Sequence, residues 1–240
     1  MVPLLLLVSS VVGLISYTNA ASASFVVPCH AADEKCLLDN LERGIKIFSN
    51  GIPELGVEKL DPLHFKEVDS SSPSLKFILR DLTVTGLQSC KPLKLKRDLS
   101  KSTIVIKLEC PVKLDGEYEL DGQVLVLKVG GNGKIHVFLK KLVIEVTLDM
   151  VKKQKNGEEY MKVKKFTHTY ELTEKSELVF EGLFQKNKVL SEAANDLIKN
   201  SPNEIVNEIG GKMFEVVITE VVKNINNMFS HVPHNQLALD

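Results

Sequence analysis

The stretch Ile135–Leu148, IHVFLKKLVIEVTL, alternates apolar and polar side chains and then changes phase. Ile135, Val137 and Leu139 share one parity; after Lys140 and Lys141 the apolar positions are Leu142, Ile144, Val146 and Leu148. Period two marks a half-buried strand, and a one-residue phase change inside it requires a bulge or sharp twist that carries the buried face across. The same change recurs on both sides: Phe77 and Leu79 give way to Leu82 and Val84, and Met161 and Val163 give way to Phe166 and Tyr170. Recurrent bulges bend and coil a sheet instead of leaving it flat. Leu75 to Phe180 therefore reads as five to seven strands of a curled sheet, which needs something to wrap around.

The C-terminal third supplies it. From Ile205 to Phe229 apolar residues cover most of a helical circumference, and Glu208, Lys212, Glu215, Thr219, Lys223 and Asn226 form one narrow polar stripe. Such a helix is buried on several sides, while the stripe rules out a membrane span. About 25 residues gives roughly 37 Å. Ser201 is placed as N-cap with Pro202 at the first helical position, and Gly210-Gly211 is the weak point. A shorter helix precedes it, about Val189 to Lys199. Near the N-terminus, Leu37, Leu38, Leu41, Ile45 and Phe48 recur at helical spacing over 33–49 until Gly51 and Pro53 stop them, and a short irregular stretch follows. The fold class is α+β: a single domain, 21–240, in which a long C-terminal helix is wrapped by a highly curved antiparallel sheet.

Composition narrows the function. Lys and Arg number 30 against 31 Asp and Glu, a net charge of −1, with no long run of either sign. That removes the footprint of a nucleic-acid binder and argues against anionic lipid surfaces. Aromatics are 6 % and Trp is absent, so the interior is aliphatic and suits lipid-like ligands better than sugars or bases. Residues 1–20 carry no charge and hold an apolar run from Val2 to Ile15 before Thr18-x-Ala20. They read as a secretory signal peptide, with Ala21 or Ser24 as the mature start. No later segment approaches spanning length, so the expectation is an extracellular protein with no integral membrane segment.

Four cysteines in a secreted chain suggest two disulfides. Cys29 and Cys36 lie seven apart; Cys90 and Cys110 flank a hairpin centred near Ser100. A register that sets these two opposite each other pairs Arg97 with Thr103. The alternation of Leu93 and Leu95 against Ile104, Ile106 and Leu108 prefers a register shifted by one, which leaves a bulge or a pair of reduced thiols as the alternatives.

Catalytic chemistry is absent from the motifs. Gly130-Gly131-Asn132-Gly133-Lys134 lacks the upstream Gly of a phosphate loop, and Ile135 stands where Ser or Thr would bind magnesium; a tight turn between strands is expected there. His231-Val-Pro-His234 reads as surface tail, and Cys29-His30 with Cys36 as a disulfide and not a zinc site. The six histidines are scattered, and none pairs readably with Ser or Cys. Phe166-x-His168-x-Tyr170 sets an imidazole and a phenol on one strand face, where they could orient an apolar ligand, although a histidine bonded to backbone is the favoured reading. No enzyme, cofactor or metal is expected.

Pro28-Cys29 with Cys36, Gly51-Ile52-Pro53, Asp61-Pro62-Leu63, Gly86-Leu87, Gly116-x-Tyr118 with Gly122, Gly131-x-Gly133, Leu183-Phe184 before Leu190 and the closing Val232-Pro233 resemble, in order and spacing, the insect takeout and haemolymph juvenile hormone binding proteins. The resemblance implies a secreted carrier whose curved sheet and long helix enclose a hydrophobic tunnel, similar to the bactericidal permeability-increasing protein folds. It implies a juvenile hormone, related terpenoid or fatty-acid-like ligand, and no catalysis. Tyr170 stands near the position where hormone carriers have a cysteine bonded to the C-terminal helix, so the chain is more takeout-like. No Trp follows near Asn195, implying a loosened tunnel end around 195–202. The lining expected from helix and strand faces is Leu125, Leu127, Phe138, Phe166, Phe180, Met213, Phe214, Val217, Val221 and Ile225, with His168 and Tyr170 as polar tips. The partner is then a small hydrophobic ligand bound by a monomer. The alternative is a secreted protein-interaction or lipid-surface module with no bound small ligand.

Overall fold

The computed structural model describes residues 23–125, 127–184 and 188–240; the expected signal peptide lies outside them. Two long strands set the shape. β4 (Thr103–Val124) has 22 residues and β5 (Leu127–Lys155) has 29, paired antiparallel over nearly the whole of β4. At about 3.3 Å per residue β5 is a ribbon of roughly 95 Å, which must coil to bury one face. Each outer edge of this pair is shared end to end by two shorter strands. β2 (Leu75–Thr85) and β3 (Lys91–Asp98) lie along β4, while β6 (Glu158–Leu172) and β7 (Glu177–Phe180) lie along β5. β1 (Leu63–Asp69) adds to β2 and completes a seven-stranded antiparallel sheet. The stretch expected to be irregular thus holds a strand; its alternation is too short to stand out without β2 beside it.

All three phase changes are bulges. The register slips between Arg80 and Thr83 in β2, where Asp81 has φ of 45°. It slips again where Lys140 and Lys141 of β5 pass the Cys110/Val112 step of β4, and where Asp149 and Met150 face Lys165 and Val163 of β6. In the β3–β4 hairpin both competing registers are used. Near the turn Asp98 faces Thr103 and Arg97 faces Ile104, correcting the expected Arg97–Thr103 pair; past a bulge at Leu93, Pro92 faces Leu108 and Lys91 faces Glu109. The bulge restores the alignment that lets Cys90 reach Cys110, and both disulfides, Cys29–Cys36 and Cys90–Cys110, are formed.

The Gly130–Lys134 run is not a turn but mid-strand in β5. Residues 181–183 cross it so closely that a Cβ on Gly133 would lie 2.2 Å from the Glu181 carbonyl oxygen, and one on Gly131 2.7 Å from that of Gly182. The glycines admit a crossing chain.

α1 (Glu34–Ser49) starts where the Asp33 carboxylate accepts the Cys36 N–H at 3.0 Å. The expected single C-terminal helix is two, α3 (Pro202–Ile209) and α4 (Gly211–His231), preceded by α2 (Lys188–Asn200). Gly210 divides α3 from α4: a Cβ there would meet the Val206 carbonyl oxygen at 2.6 Å, so the chain passes tighter than a side chain allows. Ser201 occupies the N-cap position of α3 without a side-chain cap bond. The C-terminus is not a surface tail. Val232 is fully buried, Ala238 bridges to Cys29, and Arg97 holds Asp240 at 2.9 Å.

Candidate ligand-binding interior

Inside the curl lies an apolar cavity of about 60 Å³. Its sheet wall is the buried parity of β2 and β5, including Phe77, Leu79, Ile135 and Val137; its roof is Val206 of α3 with Met213 and Phe214 of α4. A second cavity of about 30 Å³ lies towards the β4–β5 turn, between Leu127 and Val129 on β5 and Leu197 and Ile198 on α2. Phe180, Ile205 and Ile209 line both, so three apolar side chains partition one elongated interior. Among the described residues no polar side chain lines either cavity.

Four expected lining residues are there: Leu127, Phe180, Met213 and Phe214. Leu125 sits at the β4–β5 turn with φ of 52° and packs against the core without lining a cavity. Phe138 is on the opposite parity from Val137 and Leu139, with the Lys113 ammonium 5.0 Å from its ring centre; it faces away from the interior. Phe166, His168 and Tyr170 lie on β6 and Val217, Val221 and Ile225 on α4, and these two elements pack together in a separate seam. That seam runs from Tyr170 against Phe214 (ring centres 4.1 Å apart) to Asn226, whose side chain accepts the Val163 N–H at 2.8 Å. These six line neither cavity. The lining residues not expected, Phe77, Leu79, Leu82, Ile135, Val137 and Leu139 among them, carried a readable signal: they are the apolar parity of the phase-changing strands.

Two phenols border this interior. The Tyr118 hydroxyl donates to the Glu181 carbonyl at 2.8 Å, and its ring meets Phe180 edge-on at 5.1 Å. Burial, with the Glu181 charge, pushes its pKa up to about 12. Burial likewise raises Tyr170. Both stay neutral, which suits an ether, ester or carbonyl oxygen better than a charge. Among the described residues no three His, Cys, Asp or Glu side chains cluster as a metal site, and no helix is long and apolar enough to cross a membrane.

A curled sheet over an apolar, helix-roofed interior matches a known design. The profile of the family described as haemolymph juvenile hormone binding protein aligns with residues 4–239. The chain belongs to this family. It is 23 % identical over 245 residues to the circadian clock-controlled protein daywake of Drosophila melanogaster, covering 94 % of each chain. To a putative beta-carotene-binding protein of Schistocerca gregaria it is 25 % identical over 150 residues, 61 % of this chain and 57 % of that one. The crystal structure of Epiphyas postvittana Takeout 1 superposes with a TM-score of 0.84 at 24 % identity, over 90 % of this chain and all of that one. The juvenile hormone binding family comprises binding proteins for small hydrophobic ligands.

Proposed function

We propose that this protein is a secreted carrier that takes one terpenoid or long acyl ligand into the partitioned interior beneath α3. The observation that carries the reading is the pair of adjoining cavities, apolar among the described residues, that share Phe180, Ile205 and Ile209 in their linings. As they stand, the voids are far below the ~300–1,000 Å³ of ligand pockets in general. Binding therefore swings the partition aside and joins the cavities, and an elongated ligand is favoured over a compact one. At about 0.8 kcal/mol per buried methylene, a dozen methylenes supply roughly 10 kcal/mol gross. Ordering and association costs of several kcal/mol take a large part of this, so burial of a dozen methylenes alone supports an affinity of about tens of micromolar, and a longer chain tightens it. Tyr170 lines neither cavity as they stand, but its ring packs tilted against the lining Phe214, so a ligand that opens the partition reaches its hydroxyl with an oxygen at one end.

Native mass spectrometry of protein made in a eukaryotic secretory host, before and after solvent extraction, tests this. A stoichiometric acyl or isoprenoid species supports the carrier and names the ligand class. Protein that is empty, and that neither takes up an apolar fluorescent probe nor releases one to fatty acids or juvenile hormone, overturns it in favour of an interaction module.

A further inference from the structure

The net charge of −1 conceals a separation in space. The β3–β4 turn and the β5–β6 hairpin lie side by side at one end of the sheet: Thr103 pairs with Asp149, which pairs with Lys165, and the Met150 N–H donates to the Ser102 carbonyl at 2.8 Å. From that level β5 and β6 run on as a two-stranded ribbon. Residues 94–101 and 149–165 together hold ten Lys and Arg against four Asp and Glu, a net +6, so the rest of the chain carries −7. Three of the four acids are already committed, Asp98 to Lys101, Asp149 to Lys165 and Glu159 to Lys152, while Glu158 accepts from the Tyr160 hydroxyl. Lys94, Lys96, Lys153, Lys155, Lys162 and Lys164 are exposed and, among the described residues, make no ion pair. Strand register puts Lys96, Lys153, Lys162 and Lys165 on the face opposite the core. At the apex of the turn, between Arg97 and Lys101, stands Leu99, 54 % exposed.

We propose that this end docks the protein on a membrane surface bearing anionic phospholipids, the lysines meeting headgroup charge while Leu99 enters the interfacial layer. Local potential follows the distribution of charge and not its sum, so near neutrality overall does not exclude such a surface. Flexible ammonium groups suit a diffuse anionic layer, each near-surface Lys strengthening binding about fivefold. An apolar side chain among cations gains from a lipid interface and gains nothing from a soluble polyanion, which decides between the two. None of these residues lines a cavity, so the docking stands or falls independently of the carrier reading.

The test is flotation of the full chain with phosphatidylcholine vesicles, with and without phosphatidylserine. Binding is expected only to the anionic vesicles and is expected to fall steeply with salt. Lys153→Glu, Lys162→Glu and Lys164→Glu together lower it more than about a hundredfold. Leu99→Ser lowers it several-fold and leaves the salt dependence unchanged. Circular dichroism and uptake of an apolar probe, unchanged in both variants, show that the fold is kept. Equal binding to the two vesicle types overturns the proposal. So does anionic binding that is indifferent to Leu99→Ser and displaced by heparin, which makes the end a polyanion site.

Discussion

The far end of α4 and the roof over the cavities are held by different chemistry. At the far end, Asn224 is fully buried; its carbonyl oxygen accepts the Glu58 N–H at 2.6 Å and its amide donates to the Glu220 carbonyl at 3.0 Å. Asn226 bonds both backbone groups of Val163, and Asn227 donates to the Gly56 carbonyl. The Cys29–Cys36 disulfide and the Arg97–Asp240 pair close the same end. Over the cavities the contacts are apolar, and the polar ties sit at the rim: Ser70 to the Ile209 carbonyl, and Asn203 to Ser176, Leu172 and Glu174. Buried hydrogen bonds are costly to break, whereas apolar side chains exchange one apolar neighbour for another at little cost. A ligand can therefore expand one end while the other keeps its geometry.

The sharpest way to break this contrast is to fill the expandable end. Ile209→Trp places an indole in the partition between the cavities and is expected to weaken probe binding by about a hundredfold or more, with the fold retained. Val217→Trp, in the α4–β6 seam, costs stability instead and changes affinity by no more than about threefold. Displacement of an apolar fluorescent probe reads both. If Val217→Trp abolishes binding and Ile209→Trp does not, the ligand lies in the seam and the two regions exchange roles.

Of the twelve residues the sequence suggests for the ligand, Leu127, Phe180, Met213 and Phe214 line the cavities and six fall in the seam, and the reason for that division is physical. Apolar faces of β6 and α4 are visible in their own periodicity, but which part of a long apolar face meets a void depends on where the helix breaks. Gly210 makes that break by approaching the Val206 carbonyl, a contact that a pattern of residue types does not encode. The bulges were legible because each is written locally, as a change of parity within a few residues. Gly131 and Gly133 misled for the opposite reason: the chain they accommodate, 181–183, is some fifty residues away. Leu82, Ile135 and Val137 were recognised as buried, yet burial alone does not separate wall from filler.

Next in size come removals at the fixed end. Cys29→Ser with Cys36→Ser frees a short loop and is expected to cost about 2.5 kcal/mol in urea unfolding, with probe affinity kept within about twofold. Asn224→Ala removes a fully buried side chain together with its bonds to the Glu58 N–H and the Glu220 carbonyl and is expected to cost about 2 kcal/mol. Should either change weaken ligand binding as much as it weakens the fold, the two ends are mechanically coupled and the contrast fails.

The smallest expected effect is one of pH. His234 lies against Glu159 at 3.5 Å, with Lys152, Arg97 and Asp240 around it. Burial, aided by Lys152 and Arg97 and opposed by Glu159 and Asp240, holds its pKa below the ordinary 6.5. The folded protein thus takes up this proton less readily than the unfolded chain. Its contribution to stability is complete above the unfolded value and is lost as pH falls through 6.5 towards the lower folded value. Asp240, whose carboxyl is lowered from 3.8 by the Ala31 N–H and then by Arg97, loses its contribution only in a more acid range, so the two windows separate. Urea unfolding is expected to show a modest loss of stability from about pH 7 to about pH 5, and His234→Gln is expected to flatten it. Probe affinity should stay level across the same range, since among the described residues no titratable side chain lines the cavities. A gain in stability on acidification would mean that the Glu159 attraction outweighs burial, and that the fixed end tightens in acid instead of loosening.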